Sequence, residues 1–327
     1  MTQVFIELGG FMTSIFRSIV SVVVLSALAA GCTKKSSGDY NLDASETLRT
    51  NLSAEPPSLD WHKSSDTTSS EVTGNVMDGL TQYNLKDPNL SLLPALAEKW
   101  ESKDQKTWTF TLRKDVKWND GQPFTAQNVI DAWERLLNKN TGALYAYFLF
   151  NVKNAKKYNA GEVTDFSQVG VRTNEAGDLV VELEKPQSYF PMLLTHHSTF
   201  PMRKDVVEKF GESWTRPENI QTLGAYKLNV WDNDKALVLE RNENYYGDKA
   251  KTKFVLMRIV KETSTALKMF EKGQIDSMHE VPSLEIARLK KLPQFRTTPS
   301  LGIYYFGFNV KKKPFDNADV RKAVSMA

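Results

Sequence analysis

Residues 108–137 constrain this chain more than any other stretch, because one continuous segment carries a strand pattern, a tight turn and a capped helix. Trp108, Phe110 and Leu112 alternate with Thr107, Thr109 and Thr111, which puts large apolar groups on one face of a strand and hydroxyls on the other. Arg113, Lys114 and Asp115 then break the pattern. Val116 and Trp118 form a second short strand alternation that runs into Asn119, Asp120 and Gly121, a turn in which glycine supplies the positive φ. Thr125 is the expected N-cap of a helix whose Val129, Ile130, Trp133, Leu136 and Leu137 share one apolar stripe. Two strands and a helix packed so closely point to α/β layers.

Further strands are expected at Leu48 to Leu52, Leu179 to Leu183, Ala236 to Glu240 and Phe254 to Val260, with a turn over Asn174 to Asp178. Helical spacing recurs at Val72, Val76 and Leu80. It returns between Thr263 and Lys272, where Gly273 is a natural stop. Hydrophobic residues at 41% and charged residues at 25% are ordinary for a globular chain, and 327 residues suffice for two domains. The formal charge of +3 gives no electrostatic case for nucleic acid. The Lys311, Lys312 and Lys313 cluster precedes Pro314 and reads as a solvated loop.

The run LRKDVKWNDGQPFTAQNV, Leu112 to Val129, closely resembles the signature of the peptide-binding family of bacterial extracytoplasmic solute-binding proteins, family 5. The likeness continues in order through Ser58 to Asp60, Tyr189 and Phe190, Glu208 to Trp214, Gly224 to Lys227, Asn242 to Gly247 and Gly273 to Asp276. It covers almost everything after Arg49. The resemblance implies a periplasmic-binding-protein type II fold of the three-domain class. Its first lobe is discontinuous, expected here over 45–79 and 204–305, with an inserted domain over 80–203.

The N-terminus is read from its own pattern. Ile19 to Leu28 is an apolar run of signal-peptide length, too short to span a bilayer, and it ends in Ala29, Ala30 and Gly31 before Cys32. A start at Met12 would give a short leading region containing Arg17, whereas Met1 to Phe11 carries Glu7 and no basic residue. This pattern predicts a lipoprotein signal over 1–31 and acylation of Cys32, the only cysteine, which excludes an internal disulfide. Residues 32–44 are expected to form a flexible tether. The expected location is the periplasm or cell surface, lipid-anchored to a bacterial membrane.

At the other end, Leu301 to Asn309 reads as a strand. Val320, Ala323, Val324 and Ala327 then set a helical spacing that no terminating residue follows. The resemblance implies that such chains continue into a second lobe, of which 306–327 would be the start. Closure of two lobes on a ligand is the family's trap. With the second lobe largely absent, the expectation is weak or absent peptide binding and a partly exposed apolar face.

Carried over by resemblance, Ser64, Ser65, Asp66 and Thr67 match the segment whose backbone pairs with the peptide as an added strand. Tyr145, in the run Asn140 to Ala146, matches a tyrosine that touches the ligand. Main-chain pairing of this kind tolerates many ligand sequences. Trp61 departs from the proline usual at its place, and the usual acidic residue is replaced around Ser65 and Asp66. His279 and Glu280 fall where relatives have cleft-facing polar residues, although a solvated loop explains them as well. Adjacent His196 and His197 are poorly placed to share one ion, so no metal is expected. No nucleophile elbow, phosphate loop or zinc-type histidine pair is found, so no catalytic residue is named and no cofactor is expected.

The reading is a monomeric, non-enzymatic lipoprotein that captures oligopeptides and presents them to ABC transporter permease subunits. A receptor for dipeptides, nickel chelates or haem is the alternative within the family. A secreted lipoprotein hydrolase, or a truncated lobe serving as an interaction module, are the alternatives outside it.

Overall fold

Strand β1, Thr47–Leu52, runs parallel to a strand far along the chain, and this pairing organises the molecule. The computed structural model describes residues 40–297 and 305–327, which fall into two compact units divided between Val281 and Pro282. The signal segment, Cys32 and most of the tether lie outside the described residues.

After β1 the first unit continues through helix α1, Thr67–Val76, into a two-stranded ribbon of β2, Thr81–Tyr83, and β3, Leu92–Pro94. Strands β4, Ala97–Glu101, and β5, Thr107–Leu112, lead into helix α2, Ala126–Leu137. A hairpin of β6, Val171–Thr173, and β7, Leu179–Glu182, closes on the expected turn, with Gly177 at φ +85°. These strands make an antiparallel sheet in the order β4-β5-β7-β6. Beyond helix α3, Lys204–Phe210, come β8, Tyr226–Asp232, β9, Ala236–Arg241, and β10, Phe254–Ile259. They form the other sheet in the order β1-β10-β9-β8, in which only the β1–β10 pair is parallel. Helix α4, Thr263–Glu271, follows, and Gly273 leaves it at φ +66°.

Trp108, Phe110 and Leu112 are buried on one face of β5, as their alternation requires. Asn128 stabilises the start of α2 by accepting a hydrogen bond from the Thr125 backbone N–H at 3.0 Å, and the stripe of Val129, Trp133, Leu136 and Leu137 is fully buried. One correction applies in this block. The second strand reduces to a single bridge between Lys117 and Pro123. Phe124 N–H bonds Val116 and Gly121 N–H bonds Trp118, so the segment satisfies itself as a turn and sends Val116 and Trp118 into the core.

Strand β9 is buried on both faces. Leu237 and Leu239 join the main core, while Ala236 and Val238 meet Leu256 on the reverse side, where Tyr40 and Leu42 cover them. The Tyr40 hydroxyl donates to Asp232 Oδ2 at 3.1 Å. The tether expected over 32–44 therefore ends earlier, because its last part docks on the sheet through two apolar side chains and a hydrogen bond.

Gly224 marks a close approach between the sheet and α1. Its N–H donates to Val76 O at 2.8 Å, and a Cβ there would fall 2.5 Å from Val76 C and 2.6 Å from Met77 N. Those atoms are backbone and cannot step aside. Gly224→Ala is expected to destabilise the fold by about 2 kcal/mol, the scale of an overpacked core. Urea unfolding followed by tryptophan fluorescence checks this, and an unchanged midpoint refutes it.

In the second unit the described residues hold a short helical turn, Ile286–Leu289, and helix α5, Ala318–Met326, capped by the Asn317 side chain on Asp319 N–H. Tyr305 to Asn309 carries no regular strand, and the rest of that expected strand lies outside the described residues. Among the described residues no helix is long and apolar enough to cross a membrane.

Candidate functional site

The segment between β1 and α1 is held by a buried ion pair. Ser58 Oγ accepts from Asp60 N–H at 3.0 Å, shaping the turn, and Arg135 of α2 grips Asp60 with two bonds of 2.9 and 2.6 Å. Trp214 donates from Nε1 to the same carboxylate at 3.4 Å and meets Trp61 edge to face with centroids 4.6 Å apart. Trp61, unusual for its place, is thus a fully buried wedge. Burial pushes the Asp60 pKa upward, but the hydrogen bonds and charge of Arg135 overcome it and hold the carboxyl below its ordinary value.

This frame presents Ser64 and Ser65 as irregular chain immediately before α1. Asp66 keeps extended backbone, at φ −108° and ψ 157°, while its side chain caps α1 by accepting from Ser69 N–H at 2.8 Å, and Thr67 is the first helical residue. Of the four-residue edge expected there, Ser64 to Asp66 stay outside the helix and Thr67 is taken by it.

Tyr145 comes to this edge from 80 residues away. Its hydroxyl donates to Ser65 O at 3.3 Å. His197 does the same one residue earlier, its Nε2 lying 3.3 Å from Ser64 O while its Nδ1 faces Ser70 Oγ at 3.4 Å. The imidazole of His196 stacks on Phe148 at 4.2 Å, tilts 31° against His197 at 4.2 Å and receives the Tyr145 ring edge-on at 4.8 Å. His196 Nδ1 faces Ser198 Oγ at 2.9 Å. Burial, reinforced by the charge of His197, drags the His196 pKa down to about 4. Burial also lowers His197, against the pull of the Ser64 carbonyl and Asp66. Both rings are therefore neutral at pH 7, and their bonded nitrogens are engaged by protein groups instead of aimed at a shared ion.

Beside this cluster lies a cavity of about 650 Å³ along α1, with Ser70, Gly74, Phe148, Tyr189, Met192 and His196 among its walls. His279, in irregular chain beyond α4, reaches Glu71 of α1, its Nε2 3.2 Å from Glu71 Oε1, and Glu280 is exposed. Of the residues expected from the sequence, the structure brings Ser65 and Tyr145 into direct contact. It places Asp66 and Thr67 in the helix start and gives His279 a partner on α1. Phe148, His196 and His197 were not anticipated as part of the site. The aromatic density of residues 145–150 was the available signal.

The remaining blocks of the resemblance act as fasteners. Tyr245 and Tyr246 donate to half-buried Asp78 Oδ2 at 2.8 and 2.7 Å, and Asn242 Nδ2 donates to Gly224 O at 3.0 Å. Burial raises the Asp78 pKa against those two bonds. Asp276 binds Arg49 through its backbone N–H at 2.8 Å and through its guanidinium.

The lobe of two four-stranded sheets and a two-stranded ribbon thus sets the Ser64–Ser65 segment, an aromatic cluster and a cavity side by side. The model of the bacterial extracellular solute-binding proteins, family 5 Middle, matches residues 91–327, and the chain belongs to that family. It is 36% identical over 321 residues to the periplasmic oligopeptide-binding protein OppA of Salmonella typhimurium, covering 95% of this chain and 58% of the relative. It is 32% identical to the oligopeptide-binding protein OppA of Bacillus subtilis, with coverage of 94% and 57%. Among solved structures, Haemophilus influenzae OppA in complex with RPPGFSPFR superposes with a TM-score of 0.80 at 36% identity, over 86% of this chain and 56% of that one. The murein tripeptide-binding protein MppA of Escherichia coli gives a TM-score of 0.81 at 34% identity, over 86% and 55%. The chain thus spans little more than half the length of these relatives.

Proposed function

We propose that this protein captures oligopeptides outside the cytoplasm for delivery to an ABC transporter, held at a membrane through acylated Cys32. The observation that carries the reading is the Tyr145 hydroxyl on the Ser65 carbonyl, 3.3 Å apart and 80 residues distant in sequence. A ligand that adds as a strand would take the Ser65 and Ser64 carbonyls from Tyr145 and His197 and free the Tyr145 hydroxyl to meet it, with main-chain bonds giving affinity. The oligopeptide and murein tripeptide ligands of its relatives support the same class. The role is binding, and a bound peptide is expected to be recovered intact; its hydrolysis would favour the hydrolase alternative instead.

A tripeptide meets few of these groups at once and is expected to bind in the range of about 0.1–1 mM. Titration into labelled protein, followed by backbone amide shifts, measures this. Tyr145→Phe, which removes one hydroxyl, is expected to weaken binding about fivefold, the value of a single hydrogen bond. Shifts absent from 64–66 and around Tyr145 at 10 mM peptide would refute the reading. For the anchor, intact mass of membrane-extracted protein should show an acylated N-terminal Cys32, lost in Cys32→Ser.

A further inference from the structure

Among the described residues, no Asp, Glu, Lys or Arg lines the cavity beside the edge. The nearest acid along α1, Glu71, is turned to His279 at 3.2 Å. Phe148 and His196 stack on each other, with rings 4.2 Å apart and nearly parallel, and form one rigid wall, and Tyr189 and Met192 add half-exposed apolar surface at the mouth. Its volume of about 650 Å³ falls within the range of small-molecule pockets and admits a large side chain. His197 lines the cavity and also reaches the Ser64 carbonyl, so a side chain leaving a strand on this edge meets the cavity directly.

We propose that this cavity sets side-chain selectivity, admitting a peptide residue with an aromatic or bulky apolar side chain and rejecting charged ones. The inference rests on the peptide-binding reading above. An aromatic ring entering here exchanges water for the apolar walls given by Phe148, Leu193 and Phe200 and for the Met192 thioether. A lysine or glutamate would leave water for walls that carry no counter-charge, and its desolvation would go uncompensated. Both histidines sit uncharged at neutral pH, which keeps this contrast intact for acidic side chains.

The test is a tripeptide scan on the full chain, with Ala-Ala-Ala as reference and Phe, Leu, Lys or Glu placed in turn at each position, read by amide shift titration. At one position Phe is expected to bind about 10- to 100-fold more tightly than Ala, the burial gain of a large apolar side chain. Lys and Glu at that position should bind more weakly than Ala. Met192→Glu, which plants a carboxylate at the mouth, should shift the Lys-to-Phe affinity ratio toward Lys by at least about tenfold. If all peptides bind with equal affinity at every position, or the ratio is unmoved in Met192→Glu, the selectivity proposal is overturned while peptide binding stands. If none binds, the peptide-binding reading fails and this inference fails with it.

Discussion

Replacing Arg135 by methionine should cost the fold about 3–5 kcal/mol, the penalty for stranding a buried charge. The Arg135 and Asp60 side chains are only 16% and 7% exposed, and the two bonds of 2.9 and 2.6 Å form the parallel fork that a guanidinium makes with a carboxylate. Without Arg135, Asp60 keeps the turn N–H of His62 at 3.2 Å and the Trp214 indole at 3.4 Å, which cannot compensate a full negative charge. The single variant Asp60→Leu should also be costly, because it strands Arg135. The double variant should recover much of the loss, since a buried pair replaced by apolar groups is often close to neutral. The measurement is a double-mutant cycle by urea unfolding. Additive losses would show that the pair is not coupled. The functional consequence is local: Asp60 lies four residues before the Ser64 edge, so loosening it should blur that edge before the whole lobe melts.

Arg135–Asp60 also shows what could be read from the sequence and what could not. The Trp108 to Leu137 block was legible because its two periods, 2 and 3.6, each mark one buried face, and Thr125 begins a helix whose third position holds a reciprocating Asn128. The second strand failed there because Val116 and Trp118 alternate for too few residues to distinguish a strand from a turn that buries both. The β1–β10 parallel pairing carries no local mark at all. Asp60, Arg135 and Trp214 come from three distant segments, two of which stood out only as blocks of a family resemblance, and their partnership emerges from folding alone. The site divides in the same way. Tyr145 and Ser65 were named through resemblance, whereas Phe148, His196 and His197 join them by packing. Thr67 falls in the helix because an aspartate before a run of Thr and Ser is an N-cap signal, which ends the extended segment at Asp66.

The fold should lose stability as pH falls from 6.5 toward 4, and His62 should account for roughly 3 kcal/mol of that loss. The ring is fully buried, with Nε2 3.2 Å from Phe200 O and Nδ1 2.9 Å from Arg135 Nη1. The carbonyl can only accept and the guanidinium can only donate, so Nε2 carries the proton and Nδ1 must be bare. A second proton on Nδ1 would point at Arg135. Burial, then the Arg135 charge, therefore pull the pKa from 6.5 down to about 4, against the opposing influence of Asp60 and the Phe200 carbonyl. The unfolded chain takes up a proton near pH 6.5 that the folded one refuses until about pH 4. Between those values unfolding binds a proton, so stability rises with pH, is complete above the unfolded value and falls in acid. His196 and His197 are also lowered and act in the same direction, so the His62 share must be isolated by substitution. His62→Gln keeps a side-chain acceptor and donor but no titrating group. Urea midpoints converted to unfolding free energies at several pH values should show the variant's slope smaller than the parent's by up to about 1.4 kcal/mol per pH unit between pH 4.5 and 6. Parallel curves would mean that His62 does not carry the acid sensitivity. A parent curve that is flat across the window would mean that the buried ring takes its proton without strain, against the donor count at Arg135.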